Sequence, residues 1–289
     1  MPDPLFPELP HVRADVRPRL ERPVLLAAFE GWNDAGDAAT TAVTTLGKQW
    51  GAESFATIDP EDFYDFTSTR PTVQMDEHGR RGIDWPQNTF AAATIKPGLD
   101  CITLVGVEPQ LKWRTFCEQV TGLALAYDVS LVVTIGALLS EVPHTRPTPV
   151  YGATYEGDDD ELGLEPSRYE GPTGIVGVLH AACAEAGLRS ASLWAAVPTY
   201  VPSAPSPKAA LALVQRTARV LGVDADVVEL TEETVAYEEQ ISELVDADED
   251  SREYVEQLEA SYDEGPEDLD DRGERLVEEV ERFLRDQHD

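Results

Sequence analysis

The sequence predicts a three-layer α/β/α domain on a mixed, largely parallel sheet, followed by an acidic helical region. Three observations carry this. Short apolar runs bounded by turn residues recur as far as Val197, and several lead into segments with apolar residues at helical spacing, the pattern of buried strands alternating with helices. A length of 289 residues with 42% hydrophobic content is enough to bury a sizeable core. The excess negative charge lies mostly beyond Leu221.

Residues 1 to 22 are rich in proline and charge and read as an extended arm over the surface. The core, residues 23 to 222, opens with Pro23 to Phe29 (PVLLAAF), a continuous apolar run that marks a strand covered on both faces. Asn33 or Asp34 suits the cap of the next helix, and Asp34 or Asp37 suits its dipole. Ala35, Ala38, Ala39, Ala42, Val43 and Leu46 then share one helical face. Glu53 to Ile58 alternates as a strand, and the acidic, aromatic stretch from Asp59 to Phe66 reads as loop or short helix. Thr72 to Glu77 and Asn88 to Ile95 read as two antiparallel strands around His78-Gly79 and Trp85-Pro86, which makes the sheet mixed.

Cys101 to Val107 is the next buried strand. Glu108-Pro109 leaves it, with Pro109 suited to the first position of a helix whose inward face holds Trp113, Phe116, Cys117, Val120, Ala124 and Tyr127. Ser130 to Ile135 is a strand that stops at Gly136, before a polar segment from Ser140 to Pro147. Gly157 to Glu161 is an acidic loop. Pro172-Thr173-Gly174 opens a helix, Ile175 to Ala186, apolar almost all round and therefore central. Ser192 to Val197 is a further strand, and Ser206-Pro207 starts a helix with a cap and a proline at its first position.

From Asp224 to Asp289 there are about 27 acids against 5 arginines and no lysine, so about 22 of the 33 excess negative charges sit within the acidic helical region, residues 223 to 289. Val235, Ile241, Leu244 and Val245, then Tyr254, Val255 and Leu258, then Leu276, Val277, Val280, Phe283 and Leu284 recur at helical spacings. They predict two or three acidic amphipathic helices broken at Gly265-Pro266. Such helices either lay an apolar stripe on the core, in cis or on a neighbouring subunit, or offer an acidic face to a partner.

Several function classes are excluded. A net charge of -33, with no basic stretch beyond the short segment from His11 to Arg22 broken by Pro18, argues against nucleic acid and anionic membranes as partners. No apolar stretch is long enough for a bilayer span and no leader-like run precedes Val24, so a cytoplasmic protein is expected. Cys101, Cys117 and Cys183 lie in apolar segments without a CxxC pair and read as buried reduced thiols. Gly31 and Gly36 have the spacing of a Walker A loop, but Asp37-Ala38 stands where lysine and serine or threonine are needed. No GxGxxG, GxSxG or HExxH motif occurs. His180 and Cys183, three apart on a helix, read better as core residues than as a metal pair. Neither a metal nor a cofactor is expected.

Strand exits remain, where ligands of open α/β sheets bind. Glu30, Asp34, Glu108, Glu141, His144 and Arg146 are the catalytic candidates. Gathered in one cleft they suit acid–base work on a small polar metabolite; apart, they cap helices and pair with arginines. Asn33, Arg168, Thr173, Gly174 and Tyr200 are the ligand-binding candidates. Gly171-Pro-Thr-Gly174 at a helix start offers free amides to an anion, and a loop that only turns and caps explains the same residues.

Five motifs in order are Phe29-Glu-Gly-Trp-Asn-Asp-Ala-Gly36, Gly106-Val-Glu-Pro-Gln-Leu-Lys-Trp113, Leu138-Leu-Ser-Glu-Val-Pro-His-Thr-Arg-Pro147, Ser167-Arg-Tyr-Glu-Gly-Pro-Thr-Gly174 and Val197-Pro-Thr-Tyr200. With them the chain resembles, over about residues 20 to 262, the actinobacterial branch of the proteasome assembly chaperone 2 family. The resemblance implies a phosphorylase/hydrolase-like core with a helical addition, and a non-enzymatic assembly or protein-interaction module that is homo-oligomeric, with proteasome-related partners. The alternative it leaves is an enzyme on a nucleoside or other small polar metabolite. The last residues, Arg285 to Asp289, lack the hydrophobic-tyrosine tail of proteasome-docking proteins, so docking by that route is not expected.

Overall fold

The structure is a computed structural model that describes residues 6–75, 79–154, 164, 170–202 and 204–264. Its strands are β1 Val12–Ala14, β2 Val24–Glu30, β3 Glu53–Ile58, β4 Thr72–Met75, β5 Arg81–Asp84, β6 Asn88–Lys96, β7 Leu99–Val107, β8 Leu131–Ser140, β9 Val150–Thr154 and β10 Ser190–Pro198. Its helices are α1 Ala38–Trp50, α2 Trp113–Ala126, α3 Ile175–Glu185, α4 Pro207–Leu221, α5 Val228–Asp246 and α6 Glu249–Glu264.

The apolar runs form the middle of an eight-stranded sheet of order β1-β3-β6-β7-β2-β8-β10-β9. The four central strands are parallel to one another, and at the flanks β6, β3, β1 and β9 each pair antiparallel with the inner neighbour. On β2, Leu25, Ala27 and Phe29 enter one core with Phe116, Val120, Ile175 and Leu179 of α2 and α3. Val24, Leu26 and Ala28 enter the other with Ala39, Val43, Ala210 and Leu213 of α1 and α4. Alternate residues of one strand are thus buried on opposite sides, which is why its sequence is apolar without a break. A third, small cluster joins Tyr237, Ile241, Val245 and Val255 of α5 and α6 to Tyr200 and Val201. No described helix is long and apolar enough to cross a membrane.

Four expectations are corrected. The arm is not wholly irregular: Val12–Ala14 pairs with β3, and Phe6, Leu9 and Val12 are buried in the first core. The strands expected at 72–77 and 88–95 do not pair with each other over their described residues. Thr72–Met75 closes with Arg81–Asp84 into a separate, exposed hairpin, whereas β6 joins the main sheet between β3 and β7. Helix α2 starts at Trp113, four residues beyond Pro109, because Gln110 and Leu111 donate their amides to Phe63 O and hold the chain in a loop. Strand β8 runs through Gly136 to Ser140, since Gly136 lies opposite Trp194 of β10 and its missing side chain makes room for the indole. The expected helix around Leu276 to Leu284, the Gly265-Pro266 break and the acidic loop from Gly157 to Glu161 lie outside the described residues.

A methyl group on Gly136 would come within 2.7 Å of the Trp194 ring. Gly136→Ala is therefore expected to lower stability by about 1–3 kcal/mol, as overpacking of a closed core does. Urea unfolding followed by tryptophan fluorescence measures it, and an unchanged midpoint would contradict the packing described.

Candidate functional site

After β2 the chain turns at Gly31, whose φ is 119°, and then makes a single 3-10 turn, Ala35–Asp37, before α1 begins. Gly36 and Asp37 both have left-handed backbone, with φ of 60° and 51°. Two such residues in succession fold Asp34 back over the first turn of α1. Its carboxylate accepts from Ala39 N at 2.7 Å, from Thr40 N at 3.2 Å and from the Thr40 hydroxyl. Asp34 thus caps a helix that starts four residues later, while Asp37, next to the first helical residue, makes no side-chain capping bond. Burial raises the pKa of Asp34, and the Thr40 hydroxyl and the two amides pull it back.

Glu108 leaves β7 beside this turn, with its amide donated to Glu30 O at 2.9 Å. Its Oε1 accepts from Asn33 Nδ2 at 2.6 Å and from Ile175 N, the first amide of α3, at 2.9 Å. Asn33 is fully buried, and a side chain on Gly174 would strike its Oδ1 at 2.3 Å. One carboxylate therefore holds the β2 turn, the β7 exit and the α3 N-terminus together. Beside it, Tyr64 donates its hydroxyl to Val107 O at 2.6 Å and accepts from Asn88 Nδ2. Burial pushes the Tyr64 phenol up, with Glu30 and Glu108 adding to the effect, so it stays protonated. Glu30 and Thr173 stand exposed at the edge of this group.

The other candidates gather elsewhere. His144 is buried. Its amide donates to Tyr200 Oη at 2.7 Å, its Nδ1 lies 2.7 Å from the same oxygen, and its Nε2 lies 3.0 Å from Ser242 Oγ of α5. Lys208 of α4 donates to His144 O and pairs with Glu238 of α5. Arg146 makes two bonds to Asp263, at 2.8 and 2.7 Å, and reaches Glu259 at 3.3 Å, both on α6. These bonds hold the Arg146 guanidinium charged and the Asp263 carboxyl below its ordinary range. Glu141 stands exposed just beyond β8.

Of the residues singled out from the sequence, Glu30, Asn33, Glu108 and Gly174 thus come together at the β2 and β7 ends, with Thr173 beside them. His144, Arg146 and Tyr200 come together under α5 and α6. Asp34 is committed to α1, and Arg168 lies outside the described residues. The sequence reading missed Tyr64, Asn88, Lys208, Glu238, Ser242, Glu259 and Asp263. The one usable signal was Lys208, one of only four lysines, preceding an acidic helical region that needs cations. His180 is buried, and burial pushes it down to about 4, as for a neutral core histidine. The three cysteines are free and buried, and burial pushes Cys117 and Cys183 up to about 12. Among the described residues no group of three or more histidine, cysteine or acidic side chains is arranged to hold a metal.

The family model described as PAC2 family matches residues 28–245. A crystal structure of a PAC2 family protein from Streptomyces avermitilis is 46% identical, with a TM-score of 0.76 over 81% of this chain and 99% of that one. A Mycobacterium tuberculosis proteasome-assembly chaperone homologue is 42% identical, with a TM-score of 0.73 over 80% and 99% of the two chains. An archaeal proteasome activator from Pyrococcus furiosus shares the fold at 18% identity, with a TM-score of 0.64 over 81% and 97%. Among curated proteins, none matches the chain.

Glu108→Ala would leave Asn33 Nδ2 and the Ile175 amide without their acceptor and should cost about 2–3 kcal/mol, the range for charged hydrogen bonds to partly buried donors. Glu108→Gln keeps an acceptor oxygen and should cost about 1 kcal/mol. Urea midpoints of the two variants check this order, and equal losses would mean that the carboxylate is not the bridge.

Proposed function

The chain belongs to the PAC2 family, and from that premise we propose that it is a non-enzymatic assembly or protein-interaction module of the cytoplasm, with proteasome-related proteins or further copies of itself as partners. The observation that carries this reading is the 42% identity, over 80% of the chain, to a protein described as a proteasome-assembly chaperone homologue. A phosphorylase/hydrolase-like activity is not favoured. Glu108 spends Oε1 on Asn33 and α3, Asp34 is spent on α1, and His144 and Arg146 are spent on α5 and α6. Those polar groups are engaged with the protein itself, whereas a general acid or base must reach substrate.

Self-association has a surface to use. On the β4–β5 hairpin Val73 faces Ile83, and Val73, Met75 and Ile83 are 56%, 62% and 60% exposed. A two-stranded hairpin is marginal by itself in water. Residues 70 to 84 carry three arginines and three acids, so they are balanced within a chain of net charge -33. Two copies repel each other chiefly through their acidic helices, and the hairpin adds nothing to that repulsion.

Two measurements test the reading. Capture with the tagged full chain from a native lysate should enrich proteasome subunits, and the absence of any stable partner would overturn the assembly role. In light scattering the full chain should exceed monomer mass, and Val73→Ser with Ile83→Ser should return it to monomer. A wild-type monomer would remove the self-association half alone.

A further inference from the structure

His144 sits where four pieces of chain meet: its own segment after β8, the β10–α4 connection through Tyr200, α4 through Lys208 and α5 through Ser242. Its hydrogen bonds favour one tautomer. The Tyr200 oxygen accepts the His144 main-chain amide, and the arrangement that also gives the phenolic proton an acceptor is the one that shares it with Nδ1. Nδ1 is then the acceptor, and Nε2 carries the proton and donates to Ser242 Oγ. A second proton, on Nδ1, would aim two donors of His144 at Tyr200 Oη and strip the phenolic proton of its acceptor in a buried place.

The polar hold on α6 is fastened to this same segment. Arg146 grips Glu259 and Asp263, Thr145 bonds Glu259, and Tyr262 donates to Pro147 O at 2.9 Å. Leu230, in the first turn of α5, is buried in the second core; beyond it the apolar contact is the small cluster of Tyr237, Ile241, Val245 and Val255 on Tyr200 and Val201. We propose that His144 is a proton-operated latch: neutral, it fastens α5 and α6 to the 144–147 segment, and protonated, it releases them and uncovers the apolar surface of Tyr200 and Val201.

The charges around the ring do not rescue its protonated form. Lys208 repels it, whereas Glu238 and Asp246 on α5 and Glu259 on α6 attract it. Burial is the largest effect, and the ring is held below the ordinary histidine value of 6.5. The sign follows. A group whose pKa is depressed in the closed state stabilises that state fully above the open-state value, and the contribution is lost as the pH falls from about 6.5 toward the closed-state value. Asp263 and Asp248 are held below the usual carboxylate range by Arg146 and Ser251, so they stay charged in this window. The latch goes beyond the assembly reading, and testing it needs no partner.

Hydrogen exchange of the full chain, followed by mass spectrometry from pH 7.5 to 5.5 and corrected for intrinsic rates, reads the opening of residues 235–264 directly. Their protection should fall by up to about tenfold per pH unit below about 6.5, the limit for one proton, while β2 and β8 stay protected. His144→Gln, which takes up no proton, should abolish that slope. Nitrogen NMR of the wild-type ring should show the Nε2–H tautomer at pH 7.5. Protection that does not change with pH, an equal slope in His144→Gln, or an Nδ1–H ring would each overturn the proposal. If His144→Gln opens the helices at every pH, the wild type still decides: onset of opening at a pH where the His144 ring does not titrate would overturn the proposal equally.

Discussion

The bridge from Glu108 to Asn33 and the Ile175 amide is the constraint on which the strand-end geometry depends. It joins the exits of two neighbouring parallel strands to the start of a helix from the opposite layer, and each piece would otherwise end in unpaired polar groups. The bridge dictates a small residue beside it. Gly174 lies against the Asn33 amide, so a side chain there would push Asn33 off its acceptor, while Gly31 beside Glu108 is held to glycine by its backbone. The motif that begins at Phe29 is therefore a packing instruction as much as a polar one. Its asparagine answers to that carboxylate, whereas Gly31 is required by its φ of 119° and Gly36 by its φ of 60° and the close approach of Ser206.

How much of this was legible in the sequence depended on whether the cause was local. The unbroken apolar run of β2 announced burial on both faces, and Ser206-Pro207 announced a helix start that α4 adopts, with Ser206 Oγ accepting from Ala209 N. The hairpin was misread because Thr72 to Met75 has no core face, so nothing in its pattern sets its register. Gly136 was misread as a stop because the reason for a glycine there is Trp194, on another strand. The site residues show the same limit. Glu108, His144, Arg146 and Tyr200 stood out as polar groups at strand ends. Their partners, Ile175 N, Ser242 and Asp263, are set by tertiary contacts that no spacing encodes.

The charge distribution gives α5 and α6 their character. Residues 228 to 264 carry 15 acids and a single arginine, so the two helices repel themselves and each other. What offsets this comes largely from the core, through Arg146 and Lys208. Ion pairs as exposed as Arg146 with Asp263 contribute little each, whereas Lys208, with a side chain only 12% exposed, is bound to a buried carbonyl and screened less. Beyond Leu230, which is buried in the second core, these helices rest on a small apolar cluster and polar fastenings, so residues 235–264 belong at the low-stability end of the molecule, where binding elements are drawn from.

An assembly module and an enzyme ask different things of the same strand ends. An enzyme keeps polar groups unspent, aimed at a space that substrate will fill, and accepts the cost of leaving them so. Here Asp34 and Glu108 accept within the protein, Asn33 donates its Nδ2 while its buried Oδ1 takes no partner, and His144 is bonded at both ring nitrogens; what is left at the surface is of another kind. It is Trp32 at 65% exposure, the hairpin's Val73, Met75 and Ile83, and the acidic faces of two weakly held helices. Apolar area exposed on a rigid scaffold, beside elements that can be released, is what recognition of another protein requires. The parallel sheet supplies the rigidity, and the strand-end bonds of Asp34 and Glu108 tie its helices to it.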